Sequence, residues 1–109
     1  MTSYVFIESR DPFESLDVRF VEETATALKR RGHGVTVFLV QNGVLASRRG
    51  ARDRGLERLT QEGVTLLADD FSLRERGIQA AELRPGIQTS GIEALVDALA
   101  RENTRAIWH

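Results

Sequence analysis

The sequence predicts a single α/β domain over residues 1–109, with a parallel sheet covered by helices on both faces. Three observations lead there. Short β-rich apolar runs alternate with helical segments in the order β-α-β-α-β-α-(β)-α-β. The clearest run, Val35-Thr36-Val37-Phe38-Leu39-Val40, is continuously apolar, as a strand buried on both faces is. The helical segments also carry start and stop signals of known chemistry.

Tyr4-Val5-Phe6-Ile7 reads as the first strand, ending at Glu8-Ser9-Arg10. Asp11-Pro12-Phe13-Glu14 then reads as a helix start, with Asp11 as cap, Pro12 in the first position and Glu14 completing a capping box. That helix carries one apolar stripe through Val18, Val21, Ala25 and Leu28 and a second through Phe13, Leu16 and Phe20. Lys29-Arg30-Arg31-Gly32 ends it, cations in the last turn and glycine after. Beyond Val35–Val40, Gln41-Asn42-Gly43 breaks the chain direction. The arginine-rich stretch 48–55 reads as a loop, and Leu56 to Glu62 as a short helix closed by Gly63. Val64-Thr65-Leu66-Leu67-Ala68 is the third strand, and Asp69-Asp70 opens a short helix, Phe71 to Arg76, closed by Gly77. Leu83-Arg84-Pro85-Gly86-Ile87 holds a minimal fourth strand and a turn. Ser90-Gly91-Ile92-Glu93 reads as a capping box before a helix whose Ile92, Leu95, Val96 and Leu99 share a face. Arg105-Ala106-Ile107-Trp108 is the last strand.

Composition excludes several classes of function. Fifteen basic residues balance sixteen acidic ones for a net charge of −1, which gives no electrostatic reason to expect nucleic acid or an anionic membrane as partner. There is no cysteine, so disulfides, thiolate nucleophiles, persulfide carriers and cysteine-ligated metals are all ruled out. No stretch approaches the roughly 20 apolar residues of a spanning helix, and Tyr4–Ile7 is too short for a signal peptide, so a cytoplasmic location is expected.

In parallel sheets, ligands gather at the carboxyl ends of the strands. Here those ends carry Glu8-Ser9-Arg10, Gln41-Asn42-Gly43 and Asp69-Asp70, which makes Glu8, Asn42, Gly43 and Asp70 the candidate ligand-binding residues. Asp69 also suits the N-cap of the helix it precedes. Asn42-Gly43 reads as a turn supplying positive φ, or as amides lining a pocket. A receiver-type magnesium site would need an acidic pair after the first strand and a lysine near the last. The chain offers Glu8 alone, and its one lysine, Lys29, lies in the first helix. His33 reads as a solvated turn residue and His109 as a fraying end, too far apart in sequence to suggest a metal site, and no metal or cofactor is expected. Arg48, Arg49, Arg52, Arg54 and Arg58 read as a solvated loop or as a site for an anion or acidic partner.

Val5-Phe6-Ile7, Arg31-Gly32-His33-Gly34-Val35-Thr36-Val37-Phe38-Leu39, Asn42-Gly43-Val44, Gly63-Val64 and Arg76-Gly77-Ile78 together resemble the DsrE/DsrF/DsrH-like family, which includes the TusBCD sulfur-relay subunits and YchN-like proteins. The resemblance covers nearly the whole chain. It implies a three-layer α/β/α domain whose five-stranded parallel sheet has the order 4-3-2-1-5. It also implies assembly with copies or related subunits as dimers, trimers or hexamers. Active members carry a persulfide-forming cysteine just after the third strand, at the start of a short helix ending in Arg-Gly. Counting back from Gly77 places Asp69 at that position. Two functions follow as expectations. One is a non-catalytic DsrE-like subunit acting by self-assembly, as a trimer or hexamer, or by binding related subunits. The other is a small-ligand binder or enzyme using Glu8, Asn42 and Asp69.

Overall fold

The computed structural model describes residues 2–109. Five strands, β1 (Ser3–Glu8), β2 (Gly34–Leu39), β3 (Thr65–Asp69), β4 (Ile87–Ser90) and β5 (Thr104–Trp108), form one all-parallel sheet in the order β4-β3-β2-β1-β5. Four helices connect them: α1 (Val18–Arg30), α2 (Gly55–Gln61), α3 (Asp70–Glu75) and α4 (Ile92–Ala100). This is the parallel α/β architecture that the sequence pattern predicts, in the strand order that the family resemblance implies.

The register explains why the central strands read as unbroken apolar runs. Phe6 lies beside Val37, Val37 beside Leu66, and Leu66 beside Ile87. These side chains point to one face, where Val21 and Ala25 of α1, Leu56 and Leu59 of α2, and Leu73 of α3 cover them. The alternate residues Val5, Ile7, Phe38 and Val40 point to the other face and meet Leu95 of α4. Each fully buried side chain of this size contributes roughly 1.5–3 kcal/mol, so losing either face would unfold the sheet.

The two faces are covered unequally. Of the apolar residues predicted to share the inner face of α4, only Leu95 is buried, and Ile92, Val96 and Leu99 are exposed. Trp108 is paired with Ile7 and so points to this same face, where it is 66% exposed. On the other side of the molecule Phe13, Leu16 and Phe20 are exposed, with Leu16 at 89%.

Several boundaries differ from the sequence reading. Asp11 caps a turn, not a helix. Its Oδ1 accepts from the Phe13 N–H at 3.1 Å, and its carbonyl accepts from the N–H groups of Glu14 and Ser15, each at 2.9 Å. That turn does not propagate, because Phe13, Glu14 and Leu16 meet no core; the helix starts at Val18, which is buried. The fourth strand lies later than Leu83–Ile87, at Ile87–Ser90, and absorbs Ser90. Gly91 takes the N-cap place and no side chain caps α4.

Turn chemistry at 41–43 also differs. The positive φ belongs to Gln41, at 49°, not to Gly43. Gly43 is required for space: the 3₁₀ segment Gln41–Ser47 presses it onto β1, and a Cβ there would overlap the Glu8 carbonyl oxygen and lie 3.1 Å from the Glu8 carbonyl carbon. His33 is half-buried with its ring edge-to-face on Tyr4, centroids 5.3 Å apart, so it is not a solvated turn residue.

Candidate functional site

The carboxyl ends of β1, β2 and β3 carry two separate polar clusters. The first is built on β3. Asp69 ends that strand and caps α3: its Oδ2 accepts from the Ser72 N–H at 3.0 Å and from the Ser72 hydroxyl at 2.6 Å. The same hydroxyl oxygen accepts from the Gln41 N–H at 2.8 Å, which ties the 41–47 segment to α3. Asn42 joins through Arg76, whose Nε and Nη2 donate to Asn42 Oδ1 at 3.2 and 3.0 Å while Nη1 donates to the Ser72 carbonyl at 3.2 Å. Asp69 and Asn42 thus belong to one network, but both are occupied by neighbours. Asp70, in the first turn of α3, faces Arg74 at 3.8 Å, a half-exposed pair of little energetic weight.

The second cluster is built on β1. Glu8 is buried, and both its carboxylate oxygens lie 2.9 Å from His109 Nδ1. The Arg10 N–H donates to Glu8 Oε2 at 3.1 Å. The other imidazole nitrogen, Nε2, lies 3.2 Å from Asp17 Oδ2, and Arg10 reaches the same oxygen at 3.3 Å. His109 does not fray. Its N–H donates to the Ile7 carbonyl at 2.9 Å, and its own carbonyl accepts from the Ser9 N–H at 3.0 Å and the Ser9 hydroxyl at 3.1 Å.

Electrostatics follow from this placement. Burial raises the Glu8 pKa above the ordinary carboxylate value, against the bonds from His109 and Arg10 that lower it. For His109 burial acts to lower the pKa, but the bonds to Glu8 and Asp17 outweigh it and hold the ring above the ordinary imidazole value. An imidazole facing a carboxylate at each nitrogen is best served by the doubly protonated form, which donates to both. Asp17 is held below its usual range by the Ser15 hydroxyl first and by His109 second.

Glu8 and Asp69 do not converge. β2 lies between their strands, so the strands are two spacings apart, roughly 10 Å; Glu8 registers with Leu39 and Leu39 with Ala68, which puts Asp69 one residue further on and on the alternate face of the sheet. Gly43 packs on the Glu8 backbone, and the cavity that Glu8 and Gly43 both line holds only about 10 Å³. Among the described residues no group of three His, Cys, Asp or Glu side chains is placed to hold a metal ion. Sequence reading missed Ser72, Arg76 and His109 as members of these clusters.

It also missed Glu22 of α1. This carboxyl lies over Gly55, the first residue of α2, where any Cβ would collide with it, and its Oε2 is buried without a hydrogen-bond partner. Burial first, and the nearby Asp53 charge second, push its pKa up to about 7.

A parallel sheet of this order, with a capped short helix after the third strand, defines a class of α/β domain, and the chain's place in it is given by its sequence. A family model, the DsrE/DsrF-like family, matches residues 2–107, and the chain belongs to that family. Solved structures share the fold. YchN from E. coli superposes with a TM-score of 0.87 at 21% identity, with all of both chains covered. MTH1491 from Methanobacterium thermoautotrophicum, a protein of unknown function, gives 0.84 at 23% identity, again over the whole of both chains. BT1422 from Bacteroides thetaiotaomicron, a conserved protein of unknown function, gives 0.72 at 15% identity, over 98% of this chain and 95% of that one. Among curated proteins none matches the chain significantly.

Proposed function

We propose that this chain is a single-domain, non-catalytic DsrE-like subunit of the cytoplasm that acts by self-assembly or by binding related subunits, in sulfur relay or sulfur metabolism. The observation that carries this reading is the state of Asp69. At the position where the resemblance expects a sulfur-carrying thiol, the chain has a carboxylate spent on capping α3 and holding Ser72. A carboxylate there supports the scaffold but cannot carry sulfane sulfur, and no other residue of the chain can replace the thiol. Treatment with a persulfide donor, followed by intact-mass spectrometry, is therefore expected to show no sulfur added to the protein. Any stable adduct on this chain would overturn the non-catalytic reading.

Assembly is supported by apolar side chains that the fold leaves in water. Phe13, Leu16 and Phe20 lie together in sequence and are all more than half exposed. We place the contact between copies there and expect a trimer or hexamer. Light scattering at micromolar concentration should give a multiple of the 12.2 kDa chain mass. Phe20→Glu should lower that mass without unfolding the protein, since Phe20 is 64% exposed and contributes little to the core. A mass near one chain for the unmodified protein refutes self-assembly. A multiple that survives Phe20→Glu but is lost with Val96→Glu moves the contact to the α4 face.

The alternative, a ligand held jointly by Glu8, Asn42 and Asp69, has less support, because each of these groups is bonded to a neighbour in its own cluster.

A further inference from the structure

A large cavity lies away from both strand-end clusters. It is an open groove of about 930 Å³ between α2 and the segments 49–54 and 84–87, a volume suited to a small organic molecule. We propose that this groove binds a small organic anion, with a phosphate, sulfate or carboxylate group on an apolar body. The inference is independent of how the chain assembles.

Charge is the first argument. Arg49, Arg52, Arg54 and Arg84 border the groove against only Asp53 and Glu57, in a chain whose net charge is −1. Among the described residues none of these four arginines is in an ion pair within 4.0 Å. Asp53 is turned to a local task, since its Oδ2 accepts from the Gly55 N–H at 3.2 Å. Four guanidinium groups around one cavity repel each other, and an anion between them relieves that repulsion.

Preorganisation is the second. Two of the four arginines are anchored to the backbone. Arg49 donates through Nε to the Leu83 carbonyl at 3.0 Å; Arg84 donates through Nε to the Arg48 carbonyl at 3.2 Å and through Nη2 to the Ala51 carbonyl. The two segments are themselves joined: the Arg49 N–H donates to the Glu82 carbonyl and the Arg84 N–H to the Ser47 carbonyl, both at 2.8 Å. Gly86, with φ of 90°, lets the second segment close on α2, where a Cβ would meet Thr60 Cγ2 at 2.6 Å. A guanidinium held by Nε keeps other N–H donors in a fixed direction, so less freedom is lost on binding an oxyanion. Arg52 and Arg54 are exposed and complete the set.

The wall chemistry gives the body of the ligand. Ala51, Leu56, Pro85 and Ile87 supply an apolar surface beside the charges. A bare inorganic anion would leave that surface wet, whereas an anion carrying a ring or short chain would cover it.

The test uses the full chain and 1-naphthyl phosphate, followed by amide chemical shifts. We expect saturable shifts confined to residues 49–56 and 84–87. Binding should weaken at least about tenfold for 1-naphthol and for inorganic phosphate, each of which lacks half of the recognised chemistry. The double variant Arg52→Gln/Arg54→Gln should lose a similar factor; its unchanged spectrum elsewhere would show that it folds, as two exposed side chains should allow. The proposal is overturned by any of four results: no saturable shift, shifts centred on Phe20 or Val96, equal binding of 1-naphthol or inorganic phosphate, or an unaffected double variant. Stronger competition by polyglutamate than by naphthyl phosphate would likewise replace the small anion with an acidic polypeptide.

Discussion

Gly43→Ala is expected to destabilise the protein by about 3 kcal/mol, the upper part of the range for forcing an atom into a packed site. The added Cβ has no free direction. It meets the Glu8 carbonyl, and that oxygen also accepts the Val40 N–H at 2.9 Å, so β1 cannot yield without disturbing the end of β2. If the 41–47 segment moves instead, it pulls the Gln41 N–H from Ser72 and Asn42 from Arg76. The midpoint of thermal unfolding should fall by roughly 12–20 °C. Gly50→Ala is the control: nothing lies within 4 Å of its Cβ site, and its cost should stay within about 0.5 kcal/mol. Equal costs at the two glycines would mean that the 41–47 segment is not pinned on β1.

The second large effect is on pH dependence. Glu22 has a folded pKa of about 7 against an ordinary 4.5. The folded state therefore binds more protons than the unfolded chain between these values, and stability falls as pH rises through that window. The loss should reach about 2 kcal/mol by pH 8, allowing for the solvent that still reaches the half-buried carboxyl. Glu22→Gln removes the charge that burial opposes, so the variant should exceed the unmodified protein in stability at pH 8 and match it near pH 4. His109 acts in the same direction but later. Its raised pKa gives stability fully present below 6.5 and lost as pH rises through the folded value. His109→Gln should therefore flatten the upper part of the profile and leave the Glu22 part in place. Denaturant titrations at several pH values check both. A Glu22→Gln profile as steep as that of the unmodified protein would sink the assignment.

The central strands were legible because their side chains carry the pattern unaided. Val35 to Leu39 is apolar on both faces, and both faces are in fact covered. Asp69 was legible as a cap for a similar reason, since its partner Ser72 is only three residues away. The start of α1 misled because a proline-containing capped turn looks the same in sequence whether or not a helix continues from it; what stops it is the lack of a core beneath Phe13 and Leu16. Edge strand β4 was displaced because only Ile87 of its four residues is buried, which leaves almost no pattern to read. The β1 cluster could not be found locally. Its central contact joins Glu8 to His109, 101 residues away, and only the sheet order brings the two together. Glu22 was hidden for a related cause: a glutamate on a helix reads as solvated until α2 is laid against it.

The place of β5 has a consequence for how the chain folds as it is made. β1 precedes the other four strands in the chain yet is an inner strand. One of its sides can pair as soon as Gly34–Leu39 emerges, and the other must wait for Thr104–Trp108. Until β5 emerges, then, β1 presents an unpaired row of amides and carbonyls beside the apolar residues Val5 and Ile7, the kind of edge that recruits foreign strands. β5 is therefore the strand that seals this side of β1, and His109, bonding at once to Ile7, Ser9 and Glu8, latches that seal in place.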